Sequence, residues 1–159
     1  MNKQSKIPDS KRISLTAHIE LLLKSYKKWT GKELTEIYCE PGQIAEYIIN
    51  ASFALVSHDT QTDPVFNFGN RKALELFELD WEDFTRFPSR KSAEPVNREE
   101  RADLIKKVTE NGYIDDYRGI RISSSGRRFE IRDATVWNVV DEEGLYKGQA
   151  AYFDKWKFL

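Results

Sequence analysis

Helical periodicity through the first third, two short β-rich runs near the middle and three long alternating runs at the end predict an α+β domain on one antiparallel sheet. The length of 159 residues suits one domain of ordinary size. Its 25 basic and 26 acidic side chains nearly cancel, so no global cationic field attracts nucleic acid or an anionic membrane. Aromatic residues make up 13% of the chain, which signals a packed core rather than disorder. No apolar run approaches the roughly 18 residues of a membrane span, and the N-terminus lacks the order of a signal peptide. The expectation is a cytoplasmic protein with no membrane partner and no direct nucleic-acid partner. Cys39 stands alone, so no internal disulfide forms, and a small, buried apolar role is expected of it.

Residues 1–12 carry Lys3, Lys6, Lys11 and Arg12 around Pro8 and read as a flexible tail. Residues 13–50 read as a helical extension. In it Leu15, Ile19, Leu22, Tyr26 and Trp29 recur at steps of three and four, on one face of a helix that Gly31 terminates. Pro41-Gly42 is a turn, and Gln43 to Asn50 forms a second short helix. From 51 to 159 the pattern becomes that of a sheet domain. Phe53 to His58 and Val65 to Phe68 are strands around an Asp- and Pro-bearing loop. Asn70 caps a helix over Arg71 to Phe77, and a further helical turn fits Trp81 to Phe84. After a polar loop from Arg86 to Val96, Asn97 and Glu100 resemble a capping box. The helix they open places Ala102, Ile105 and Val108 on one face and ends near Glu110.

Tyr113 to Ser123, Arg127 to Val140 and Gln149 to Phe158 then alternate as a three-stranded meander, for five strands in all. Two registers are open at the first hairpin. A two-residue Ser125-Gly126 turn sets Ile122 against Phe129, Ile120 against Ile131 and Arg118 against Asp133, and pairing rules favour it. A three-residue turn with Gly126 as a bulge sets Arg121 against Phe129 instead.

The stretch from Asn70 to Phe84 resembles the segment of PAS domains in which an Asn opens a helix ending in Leu-Phe, with Glu78-Leu79 where many members have Gly-Tyr. Arg121 to Phe129, Trp137, Asp141 to Gly144 and Gly148 to Asp154 are similar to the closing PAS strands. More specifically, Leu22 to Gly31, Pro88 to Pro95, Tyr117 to Ser123, Ala134 to Asn138 and Gly148 to Phe153 resemble the MEKHLA domain family, over about residues 15 to 156. Its members include stand-alone bacterial and cyanobacterial proteins, the type this chain resembles, and the C-terminal regions of plant class III homeodomain leucine-zipper regulators. The resemblance implies a PAS-like fold, with short helices on one face of the sheet and a sensory or interaction role.

The cofactor anchors of PAS folds are absent where they would stand. Arg98 to Glu110 contains no His to ligate a haem, and Trp81 to Glu94 contains no Cys for a covalent flavin. A noncovalent flavin or another ligand stays open, and the cofactor is unknown. His18 and His58 have no partner at metal spacing, so no metal site and no catalytic group is assigned. Phe129, Ile131, Trp137 and Val139 alternate onto one sheet face, opposite Phe66, Phe68, Phe77 and Phe84, as core or as the lining of a ligand cavity. Arg90 or Arg98, with Ser92, is a candidate clamp for an anion, against the reading that Arg90, Glu94, Arg98 and Arg101 form ion pairs that pin the loop. Asp133, on the apolar face of its strand, needs a partner such as Arg118. The stripe from Leu15 to Trp29 covers the outer sheet face or pairs with a second copy or a partner.

The reading that unites these features is a non-enzymatic sensory or adaptor module. It binds a small molecule between helices and sheet, or makes signalling contacts, and acts through a separate output protein. The alternatives are a small enzyme using the same cavity through Asp133, Glu94 or an Arg, and a chromophore-free dimerisation module with a fully packed interior.

Overall fold

The structure is a computed structural model that describes residues 7–8, 12–35 and 43–159. Cys39 and the Pro41-Gly42 turn lie outside the described residues. Helix α1 spans Arg12–Thr30 and α2 spans Ile44–Asn50. Strands β1 (Ala54–His58) and β2 (Phe66–Gly69) follow, then the short helices α3 (Arg71–Phe77) and α4 (Trp81–Phe84). Two 3₁₀ turns, Ser89–Ser92 and Pro95–Asn97, lead into α5 (Arg98–Asn111). Strands β3 (Tyr113–Ile122), β4 (Arg128–Val140), β5 (Tyr146–Phe153) and β6 (Lys155–Phe158) close the chain.

The sheet is antiparallel throughout, in the order β2-β1-β5-β4-β3, with β6 also paired to β4. The run expected as one last strand breaks at Asp154 into β5 and β6. Of the tail, Ile7 is buried in the core, so a wholly solvated tail does not hold at that residue. Among the described residues, no helix is long and apolar enough to cross a membrane.

Local chemistry sets these elements. Asn70, fully buried, caps α3 by accepting from Ala73 N, and its Oδ1 also accepts from Leu55 N. Its Nδ2 donates to the carbonyls of Ile48 and Phe53, so one side chain ties α2, β1 and α3 together. Glu78 takes a left-handed φ of 55°. Its carboxylate accepts from Ser123 and Ser125, which docks the β3–β4 hairpin on the end of α3. The capping box at Asn97 is not made: Asn97 closes a 3₁₀ turn, and its side chain caps nothing. The buried face of α5 is Arg101, Leu104 and Val108, rotated from the expected one, and Ala102 is exposed.

The β3–β4 hairpin takes the register that pairing rules disfavour. Arg121 lies opposite Phe129, and Ile122 opposite Arg128, around a three-residue turn in which Gly126 has φ 90°. Tyr117, Gly119, Arg121 and Ser123 therefore alternate inward. Arg118 pairs with Glu130 at 3.0 Å rather than with Asp133.

A second irregularity reverses the phase of β4. Asp133 sits at φ 52°, in the left-handed region that Asp tolerates better than most residues, and acts as a bulge. Before it, Phe129 and Ile131 face the helices; after it, Ala134, Val136 and Asn138 do. Trp137 and Val139 are thereby turned to the other face. Asp116, at φ 49°, adds one compensating residue to β3, and Asp154 breaks the next strand, so three aspartates mark a crease across the sheet.

The outer face is covered by α1. Leu15, Ile19 and Leu22 are buried in the core, with Tyr26 and Trp29 packed against it. Trp137 Nε1 donates to the Leu22 carbonyl at 3.2 Å, and its ring meets Tyr26 edge-on at 5.1 Å. His18 Nε2 lies 2.9 Å from Ser57 Oγ, whose proton goes to Asn67, so His18 donates. At the other end of α1, Trp29 Nε1 donates to the Asn138 carbonyl at 2.9 Å, and its ring fills the space beside Gly112, where a Cβ would meet it at 2.6 Å.

Candidate functional site

The inner face does not close completely. Between α5, the Ser89–Ser92 turn and strands β1, β3, β4 and β5 lies a cavity of about 80 Å³. Apolar side chains, among them Val56, Phe77, Leu104, Ile131, Val136 and Phe153, form most of its wall. Set into that apolar wall are His58, Ser89, Ser92, Arg101, Tyr117, Arg121 and Gln149.

Two of these groups are buried cations. Arg101 and Arg121 are each 8% exposed. Arg101 Nη2 donates to Ser89 Oγ. Arg121 Nη1 donates to the Ile120 carbonyl at 2.9 Å, and Nη2 to Tyr117 Oη at 3.0 Å. Tyr117 in turn donates to Glu100 Oε2 at 3.2 Å, so the nearest acid touches Arg121 only through a phenol. Burial, and then the neighbouring Arg121, pull the Arg101 pKa down to about 10, which still leaves it charged at neutral pH. Burial pushes the Tyr117 hydroxyl up, so it stays protonated.

The other polar groups include a buried amide and a histidine. Gln149 Nε2 donates to the Ile105 carbonyl, Thr109 Oγ1 and Asn138 Oδ1, which fixes the amide against α5. Its Oε1 is buried and has no hydrogen-bond partner. Burial lowers the His58 pKa; the Gln149 amide opposes that fall by proximity, though its oxygen makes no bond of proper geometry. His58 Nδ1 lies 2.9 Å from the Asp59 carbonyl. Among the described residues, no group of three or more His, Cys, Asp or Glu is placed to hold a metal ion.

With this geometry in hand, comparison with known proteins is decisive for kinship. The family model of the MEKHLA domain matches residues 16–158. The chain belongs to the MEKHLA domain family. This MEKHLA domain is 26% identical over 146 residues to homeobox-leucine zipper protein ATHB-9 of Arabidopsis thaliana, covering 89% of this chain and 17% of that protein. It is 24% identical over 139 residues to homeobox-leucine zipper protein HOX9 of indica rice, covering 87% and 16%. It thus spans about a sixth of the length of the curated relatives it matches. Among solved structures, a PAS domain from Colwellia psychrerythraea superposes with TM-score 0.61 at 16% identity, over 74% of this chain and 94% of that one. The light-state dimer of the fungal blue-light photoreceptor Vivid superposes with TM-score 0.57 at 16% identity, over 84% and 91%. The fold of this MEKHLA domain is PAS-like.

The flavin left open by the sequence does not fit the cavity. An engineered cavity of about 150 Å³ holds a single benzene ring, and the space here is about 80 Å³, too small for a three-ring isoalloxazine.

Of the residues singled out from sequence, Phe77, Ser92 and Ile131 line the cavity. Phe84 and Phe129 are fully buried beside it, Phe84 stacked on Phe66 and Phe129 edge-on to Phe77. Phe68 packs between His18 and Trp81. Trp137 belongs to the outer face, because the Asp133 bulge reverses the alternation on which its inward placement rested. Asp133 itself is exposed and pairs with Lys155 at 3.2 Å. Arg90 points out to Asp63 at 3.0 Å, and Arg98 Nε donates to the Ala93 carbonyl at 3.2 Å; neither lines the cavity. Arg90–Asp63 and Arg128–Glu94 are the pairs that pin this loop. The stripe from Leu15 to Trp29 is turned onto the sheet, which leaves it unavailable to a second copy while α1 is seated.

The guanidiniums at the cavity, Arg101 and Arg121, were not among the expected ones. Each had a signal. Arg101 stands three residues before Leu104 and seven before Val108, on an apolar helix face, and Arg121 falls inward once the turn is given three residues.

Proposed function

We propose that this domain is a non-enzymatic sensory module that binds a small molecule in the cavity between α5 and the sheet and passes its occupancy to a separate protein. The observation that carries this reading is the cavity itself. A domain serving only to dimerise has no use for an unfilled interior, because voids forfeit packing contacts. Polar groups set in an apolar wall are what fixes a ligand's orientation in binding sites generally. The enzyme alternative loses its named acids: Asp133 and Glu94 are engaged at the surface with Lys155 and Arg128. Binding would act by shifting the populations of α5 and of the Ser89–Ser92 turn, which form two of the cavity's walls.

Native mass spectrometry of protein purified from its own host, paired with near-ultraviolet and visible absorption, tests the reading. A retained small mass without a flavin band is expected. A clean apo mass, with no thermal shift across a panel of small metabolites, would overturn it in favour of an adaptor.

A further inference from the structure

We propose that the cavity takes a small carboxylate, its anionic end held by Arg101 and Arg121 and its short hydrocarbon body against Leu104, Ile131 and Val136. This rests on the ligand-sensing reading and names the ligand's class. The first support is an imbalance of charge. Two guanidiniums are buried side by side, and among the described residues neither has a carboxylate within ion-pair distance. Buried like charges are costly unless an anion neutralises them, and a guanidinium fork matches a carboxylate in two parallel hydrogen bonds. The second support is the donor count. Of about ten N–H donors on two guanidiniums, three hydrogen bonds are made among the described residues. Unspent donors thus remain on two residues that line the cavity.

The walls decide between anions. Inorganic phosphate needs polar contacts all round, whereas most of this wall is apolar. In the same lining, the buried Gln149 Oε1 is an acceptor without a donor, and a hydroxyl on the acid supplies one. The volume of about 80 Å³, about half that of a cavity that holds a six-atom benzene ring, limits the enclosed part of the ligand to about three or four non-hydrogen atoms, so a longer acid reaches out through the open side. A ligand of that size binds at best in about the micromolar range, so the test is run up to millimolar concentrations.

Acetate, propionate and butyrate, with the 2-hydroxy and 3-hydroxy acids, are titrated into the labelled full chain at constant ionic strength and followed by backbone amide NMR. The matched carboxamides and inorganic phosphate serve as probes of the same cavity. Expected are saturable shifts at Ser89, Ser92, Tyr117, Arg121 and Gln149, tightest for a hydroxy acid, with the carboxamide at least tenfold weaker. Arg121→Gln should weaken the acid at least tenfold and erase its advantage over the carboxamide, and Arg101→Lys serves where a Gln variant fails to fold. Carboxamides that bind as well as the acids overturn the anion inference and leave the sensing reading standing. Phosphate binding tighter than every acid overturns the carboxylate assignment alone. No saturation by any probe, together with a clean apo mass, removes both.

Discussion

The two faces of the sheet are built to different standards. On the outer face α1 lays Ile19 and Leu22 over Trp137, all fully buried, and the polar groups there are matched: Trp137 to the Leu22 carbonyl, Ser25 to both backbone groups of Val140, His18 to Ser57. On the inner face a void persists, two cations have no carboxylate within ion-pair distance among the described residues, and one buried amide oxygen lacks a donor. Polar networks left incomplete cost stability, and proteins carry such costs chiefly at working sites. The closed face holds the domain together, and the open one is free to respond.

The largest effect should come from the closed face. Trp137→Ala removes a fully buried indole and should cost about 3–5 kcal/mol in urea unfolding, enough to unfold much of a marginal domain. Next, Asn70→Ala strips a cap and leaves buried groups of Leu55, Ile48 and Phe53 unmatched, for about 2–3 kcal/mol by the same measurement. Gly148→Ala places a Cβ 2.0 Å from the His58 carbonyl at φ 126°, and a loss of about 1–3 kcal/mol is expected, with amide shifts confined to the β1–β5 seam.

The sign is expected to reverse on the open face. Arg101→Met exchanges a buried cation for an apolar side chain of similar length and should leave stability unchanged or raise it by about 1 kcal/mol. A loss above about 2 kcal/mol would mean that Arg101 is a structural element and would erase the contrast.

Acid should probe both faces at once. Burial holds His18 and His58 below the ordinary value of 6.5, so the unfolded chain takes up protons before the folded one does. Stability is therefore full well above that value and falls in thermal melts as pH is lowered through it. His18→Gln should flatten part of the slope and His58→Gln another part. An unchanged slope in both variants would assign acid sensitivity to other groups.

Much of the fold was legible because local chemistry announces it. The Asn70 cap, the stripe from Leu15 to Trp29 and the run of closing strands each follow from residue type and spacing. The site was far less so, for two physical reasons. Pairing rules keep a charge out of the interior, which hid Arg121 by choosing the wrong turn, although Gly126 was available for a left-handed bulge. Alternation is blind to a single residue that adopts positive φ, which sent Trp137 to the wrong face after Asp133. Both errors concern groups whose placement runs against the average cost of burial or of strain, which is where function tends to sit.

Trp29 and Gly112 form one corner of the molecule. There the end of the outer helix touches the end of α5, joined through Asn138, whose backbone N–H donates to the Gly112 carbonyl and whose side-chain amide donates to that of Val108. At 19 residues, α1 is an arm about 28 Å long extending from that corner. A tilt of about 5° there would carry its far end roughly 2.5 Å, so a small angular change beside Gly112 would be felt as a larger displacement where Ile19 is buried and His18 meets Ser57.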